Sequence, residues 1–149
     1  MKIDLGKNEL IHFVGIGGIG MSGLALIMNG LGYKVQGSDI TDNRNIERLS
    51  KKKIKVFINH KKENIKKTSM LVISSAIKKN NPEVLEAIKK NLPIYTRGDM
   101  LGHIVSFMRN VVITGSHGKT TTTSLVSSIF TAGNLDPVSY THLRAHETR

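Results

Sequence analysis

Apolar positions fall into short continuous runs that alternate with segments of helical period. The run in ELIHFVGIG ends in glycines and predicts a buried strand leading into a turn. From Ile19 the spacing becomes helical, with Ile19, Leu24, Ile27, Met28 and Leu31 on one broad face, until Gly30 and Gly32 stop it. YKVQGSD predicts a second strand ending at Ser38 and Asp39, NRNIERLSKKK a short polar helix, and IKVFI a third strand. In SMLVISSAI, Met70 to Ile73 are continuously apolar, the clearest strand signal of the chain. Pro82 opens a helix, PEVLEAIKKN, with proline in its first turn. LPIYTRGDML reads as a short strand followed by a helix to Phe107. NVVITG predicts another strand, and KTTTTSLVSSIFTAG another helix, closed by Gly133.

Strand and helix alternate throughout, and parallel strands need crossover connections. The fold class expected is α/β: a Rossmann-like parallel-sheet domain, followed by the first strand, phosphate loop and helix of a second domain. A boundary falls near Met108 to Asn110, where a fresh strand and loop begin. A chain of 149 residues can bury roughly 68–70% of its unfolded surface, enough for one core and part of another.

The chain has no cysteine, which excludes a disulfide framework and cysteine-ligated metal. No apolar run approaches the roughly 20 residues of a membrane helix, and MKIDLGKNEL has no apolar signal core. A cytoplasmic protein is expected. The formal charge of +11 is concentrated in KKKIKVFINHKKENIKK, Lys51 to Lys67. Phe57 is the one aromatic there, and single-strand binders add stacking platforms to charge. A solvated lysine-rich face is therefore expected rather than a nucleic-acid patch, although the field would still attract anionic nucleotides.

Gly15, Gly17 and Gly20 give G-x-G-x-x-G between a predicted strand and a predicted helix. The first glycine permits the tight turn, the second lets backbone approach a diphosphate, and the third lets helix and strand pack closely. The N–H groups at the helix start then face the anion. Asp39 stands near the spacing at which such folds hold a ribose hydroxyl; it could equally be a helix cap or turn residue. On these residues alone, an NAD-dependent oxidoreductase is the default.

The second loop changes that. In TGSHGKTTTT only two residues separate Gly115 from Gly118, so this is a shortened form of the usual phosphate loop. Lys119 can reach the β- and γ-phosphates of ATP, and the Thr120 hydroxyl can ligate Mg²⁺. His117 shapes the loop and is not assigned as a base. Thr121 to Thr123 read as first-turn helix residues. An oxidoreductase would leave Lys119 and Thr120 without a task. One diphosphate cradle and one ATP cradle suit phosphoryl transfer onto a nucleotide-tethered substrate.

Four ordered segments resemble the Mur ligase family: HFVGIGGIGMSGLA, SSAIKKNNPEV, RGDML and TGSHGKTTTTS, within roughly residues 8 to 137. The resemblance implies an ATP-dependent amide-forming ligase of peptidoglycan biosynthesis, in the branch that joins L-alanine to UDP-N-acetylmuramate through an acyl phosphate. It implies a UDP-sugar domain at 1–107, the start of a truncated central ATPase domain at 108–137, and a tail at 138–149 foreign to the family. By the same resemblance, Gly15, Gly17, Gly18, Ile19 and Gly20 cradle the sugar nucleotide, with Ser38, Asp39, Ser74 and Ser75 nearby. Gly115, Ser116, His117, Gly118, Lys119, Thr120 and Thr121 hold ATP, Lys119 and Thr120 acting in catalysis and Thr120 on Mg²⁺. A related ligase adding a peptide is the neighbouring reading. Further metal-binding acids, the amino-acid pocket and a last domain have no counterpart here, so this fragment is expected to be inactive. His142 and His146 stand at i, i+4, but neither an apolar face nor a third ligand supports a metal there.

Overall fold

The computed structural model describes residues 6–135 and Pro137. The expected tail at 138–149, with His142 and His146, lies outside the described residues. The chain divides into two compact units, Met1–Phe107 and Met108–Arg149.

The first unit contains β1 (Leu10–Val14), α1 (Ile19–Gly30), β2 (Lys34–Asp39), α2 (Arg44–Lys51), β3 (Lys55–Ile58), a 3₁₀ turn (Lys62–Ile65), β4 (Met70–Ile73), α3 (Pro82–Lys89), β5 (Ile94–Thr96) and α4 (Arg97–Phe107). The five strands form one sheet in the order β3-β2-β1-β4-β5, every pair parallel. β1 is central, pairing Val14 with Ser38 on one side and Ile73 on the other. Side chains alternate across a strand. His12 and Val14 therefore face the side carrying α3 and the 3₁₀ turn, where Val14 packs with Ile65, Leu71 and Ala87. Ile11 and Phe13 point the other way and are fully buried.

Local chemistry sets the helix starts. Asn43 Oδ1 accepts the Asn45 and Ile46 amides ahead of α2, and Asn81 Oδ1 accepts those of Glu83 and Val84 ahead of α3, with Pro82 in the first turn. Asp99, in the RGDML segment, forms a capping box: its Oδ2 accepts from the Thr96 amide and hydroxyl (2.8 and 2.7 Å), and Thr96 Oγ1 accepts from the Asp99 amide. α1 ends at Gly30, and Gly32 takes the left-handed conformation past its end.

Three expectations are corrected. The buried face of α1 is Met21, Leu24, Ala25 and Met28; Ile19 is 68% exposed, because it opens the helix at the glycine turn rather than over the core. The segment NVVITG is not a strand. Val111 and Val112 are exposed, and among the described residues no strand pairs with this segment to complete a ladder. The second unit therefore contributes one described regular element, α5 (Lys119–Ala132), capped by Gly118 and closed at Gly133. Finally, the lysine-rich stretch is not wholly solvated, since Ile54, Asn64 and Ile65 are buried beneath it. Lys55 Nζ lies 4.7 Å from the Phe57 ring centroid, so that aromatic already carries a cation.

His103 of α4 is 1% exposed, and neither ring nitrogen has a hydrogen-bond partner among the described residues. Its ring meets Phe107 edge-on at 4.5 Å. Burial pushes its pKa below the ordinary 6.5. Folding thus keeps the imidazole neutral at a pH where the unfolded chain takes up a proton. Stability is retained above 6.5 and falls as pH drops below it toward the folded value. In His103→Leu, the Tm advantage over the parent should widen as pH falls below 6.5; a gap independent of pH in thermal melts would refute this assignment.

Candidate functional site

The strand order reverses between β1 and β4, and beyond the carboxyl ends of such strands lies the usual ligand position in folds of this kind. The glycine turn follows β1 and the Ser74–Ser75 loop follows β4. Gly15 has φ +80°, and a Cβ there would lie 3.2 Å from Ser74 Cβ. The positive φ favours glycine here, and a Cβ would also crowd Ser74. Ser74 is partly buried with Oγ accepting from the Ala76 amide at 3.3 Å, whereas Ser75 is exposed.

The end of β2 holds the turn. Ser38 O accepts from the Gly15 and Ile16 amides (2.8 and 3.0 Å). Asp39 Oδ2 accepts from the Gly17 amide at 2.8 Å, and its Oδ1 from the Ile40 amide at 2.8 Å. The carbonyl of Gly17 is held by Asn45 Nδ2 (2.8 Å) and Asn43 Nδ2 (3.3 Å). Asp39 is thus a turn residue that fastens the loop; Asn43, not Asp39, caps α2. Gly37, unmarked in the sequence reading, is needed here as well. A Cβ at Gly37 would lie 2.5 Å from Phe13 O and 2.6 Å from Ile16 Cδ1.

Four successive loop amides are therefore already engaged, because the Gly18 amide donates to Gly15 O at 3.3 Å. The anion-facing donors lie further on, where α1 begins. Gly18 caps the helix and is exposed, and the first helical hydrogen bond runs from Ser22 N–H to Gly18 O at 2.9 Å. Amides ahead of that bond point out of the helix end. Ile19 stands exposed beside them, while Gly20 is buried. Gly15 and Gly17 shape the turn, and Gly18 stands exposed at the start of α1.

Ser38 needs a correction. It was expected near a ligand, but it is fully buried. Its hydroxyl donates to Glu83 Oε2 at 2.6 Å, leaving its oxygen to face His60 Nδ1 at 2.9 Å. Glu83, at the start of α3, is also fully buried. Its Oε1 accepts from Asn64 Nδ2 at 2.6 Å, and its Oε2 has His60 Nδ1 at 3.3 Å and His12 Nε2 at 3.4 Å. Gln36 Nε2 donates to Asn64 O at 2.8 Å and faces His12 Nδ1 at 3.1 Å, which in neutral His12 selects the Nε2–H tautomer. Burial alone would raise the Glu83 pKa. The His12 imidazole, whose Nε2 approaches to 3.4 Å without making a hydrogen bond, and the Ser38 and Asn64 donors outweigh it and hold the carboxyl below its ordinary 4.5. The sequence reading missed this cluster; a histidine in the central strand was its visible signal.

In the second unit, Gly115 and Gly118 occupy positive φ (+149° and +78°), which favours glycine at both. Lys119 is the first residue of α5, and its Nζ rests on Gly115 O at 2.6 Å and Ser116 O at 3.3 Å. Thr122, Thr123 and Ser124 return their hydroxyls to carbonyls four residues back. The hydroxyls of Thr120 and Thr121 make no such bond among the described residues, and Ser116 and His117 are exposed. An exposed lysine, a helix N-terminus and an uncommitted Thr120 hydroxyl fit a nucleotide triphosphate with Mg²⁺. No group of three or more His, Asp or Glu among the described residues is placed to hold a metal by itself.

The family model described as "Mur ligase family, catalytic domain" matches residues 10–109. The chain belongs to the Mur ligase family. The UDP-N-acetylmuramate–L-alanine ligase of Pelagibacter ubique (strain HTCC1062) is 66% identical over 137 residues, covering 92% of this chain and 30% of that relative. That of Brucella ovis is 53% identical over the same length, covering 92% and 28%. Among solved structures, UDP-N-acetylmuramate-alanine ligase MurC of Thermotoga maritima superposes with TM-score 0.73 at 34% identity, over 83% of this chain and 29% of that one. The murein peptide ligase of Psychrobacter arcticus 273-4 shares the fold, with TM-score 0.80 at 23% identity over 95% of this chain and 31% of its own. This Mur ligase chain thus spans about three-tenths of its relatives' length.

A side chain at Gly17 would lie 2.7 Å from Asn43 Nδ2 and 2.9 Å from Asp39 Oδ2. Gly17→Ala should therefore push Asp39 off the loop and lower stability by about 1–3 kcal/mol. Urea denaturation at neutral pH reads this directly, and an unchanged midpoint would show the loop is not held as described.

Proposed function

We propose that the whole protein is an ATP-dependent ligase that joins L-alanine to UDP-N-acetylmuramate, and that the first unit holds the sugar nucleotide. The observation that carries this is the glycine turn fastened to β2 at the reversal of strand order, leading into the start of α1, in a chain 66% identical to a ligase of that name. The sugar nucleotide's diphosphate lies at the start of α1, against Gly18 to Gly20 and within the turn shaped by Gly15 and Gly17. Ser74 and Ser75 border it from β4. Asp39 remains beside the bound nucleoside, and its carboxylate is already committed to Gly17 N–H. A domain boundary at residue 107 gives this unit residues 1–107, and 108–137 begin the ATP-binding part.

ATP is the second substrate, received by Gly115 to Thr121. Lys119 supplies positive charge for the transferring phosphoryl group, and Thr120 offers its hydroxyl to Mg²⁺. The metal would neutralise charge on the phosphate oxygens. Activating a carboxylate in this way turns a poor leaving oxygen into a good one, which an amine can displace. Among the described residues no helix is long and apolar enough to cross a membrane. This agrees with a reaction on a water-soluble sugar nucleotide in the cytoplasm, the compartment proposed here.

Titration calorimetry of the 149-residue chain tests the first unit's role. UDP-N-acetylmuramate should give saturable heat, and NADH should give no fluorescence change. No heat at millimolar UDP-N-acetylmuramate would overturn the assignment, and NADH binding would favour the oxidoreductase alternative.

A further inference from the structure

We propose that Glu83 is a positioning residue for the glycine turn: its carboxylate orients Ser38, and Ser38 fixes the turn in the shape that receives the sugar nucleotide, the ligand proposed above for it. Glu83 does not reach the turn itself. Its link is Ser38, which makes contacts in two directions. The hydroxyl donates to Glu83 Oε2 at 2.6 Å, and the carbonyl accepts from Gly15 and Ile16 at 2.8 and 3.0 Å. The next residue, Asp39, takes the Gly17 amide. Where Ser38 and Asp39 stand therefore decides where three consecutive turn amides stand.

The Ser38 hydroxyl has no access to water, so its acceptor must come from the protein. Glu83 lies 45 residues further along the chain, and the caps supplied by Asn81 and Pro82 place it at the first turn of α3. The groups around the carboxylate come from every neighbouring element. β1 offers His12, β2 Ser38, the segment after β3 His60, and the 3₁₀ turn Asn64. The facing part of β4 is apolar. Lys62 and Glu63 of the 3₁₀ turn and Lys66 just after it line a different pocket with Glu86, Lys89 and Lys90. With Ser38 and Asn64 both donating, two acceptor oxygens are needed. An amide supplies only one, which is why a carboxylate stands here rather than glutamine.

A merely structural carboxylate would stabilise the unit without affecting the turn. Two variants of the 149-residue chain, Ser38→Ala and Glu83→Gln, separate these roles. Thermal melts measure stability, ¹H–¹⁵N spectra follow the Gly15 and Ile16 amides with the Lys119 amide as reference, and calorimetry measures UDP-N-acetylmuramate affinity. In both folded variants the Gly15 and Ile16 resonances should shift, the Lys119 resonance should stay, and affinity should fall about tenfold, the scale of one buried hydrogen bond. If a folded variant keeps the parental Gly15 and Ile16 resonances, or binds as tightly as the parent, the positioning role is wrong. Should Glu83→Gln fail to fold, Ser38→Ala decides, since it leaves the other three contacts of the carboxylate in place. If the parent itself binds no UDP-N-acetylmuramate, the ligand assignment fails, and the amide resonances still decide whether Glu83 governs the turn.

Discussion

A carboxylate without solvent is costly unless its oxygens are surrounded by donors. Glu83 meets that condition with the Ser38 and Asn64 donors, beside the imidazoles of His60 and His12 at 3.3 and 3.4 Å, and these groups belong to separate stretches of the chain. Its demand therefore ties α3, the two innermost strands on that side of the sheet and the 3₁₀ turn into one arrangement. The apolar cluster of Val14, Ile65, Leu71 and Ala87 packs on the same face and supplies non-directional cohesion. The hydrogen bonds add direction. A sheet held by apolar contacts alone could slide by fractions of an ångström; a buried carboxylate with fixed partners cannot do so without leaving a charge or a donor unmatched.

That rigidity matters because the glycine turn has little of its own. Glycine lowers the steric cost of the turn but raises the entropy lost on ordering it. The end of β2 offsets this loss by fastening the Gly15, Ile16 and Gly17 amides before any ligand arrives. Gly37 lets Ile16 settle against β2 at a distance no side chain would allow. The turn is thus ordered in advance, and the start of α1 is left to meet an anion.

Most of the first unit was legible in the sequence because parallel strands buried on both faces read as apolar runs, and glycines mark the turns between them. Met70 to Ile73 and the G-x-G-x-x-G at Gly15 are the plainest examples. The Glu83 cluster was not legible, since Ser38 and Glu83 lie 45 positions apart and only the sheet order brings them together. Ser38 looked like a ligand contact because it ends a strand beside Asp39. Strand alternation sends the two side chains to opposite faces, one beneath the sheet and one toward the turn. The 110–114 segment had the right residues for a strand, but a strand is defined by its ladder, and residue pattern carries no information on whether a partner is present.

The two glycine turns are built by different means. In the first, backbone donors are held by a neighbouring strand, so its shape is fixed beforehand. In the second, glycines at positive φ set the curve and the Lys119 ammonium sits on the loop's own carbonyls at Gly115 and Ser116. A triphosphate would have to draw that ammonium away from two carbonyl oxygens. The exchange favours the ligand because an ammonium binds a phosphate dianion more strongly than it binds a neutral carbonyl. It also means that part of the Coulomb attraction is spent on breaking those contacts. Charge should therefore matter more than shape at the second turn, and added salt should weaken it more than the first.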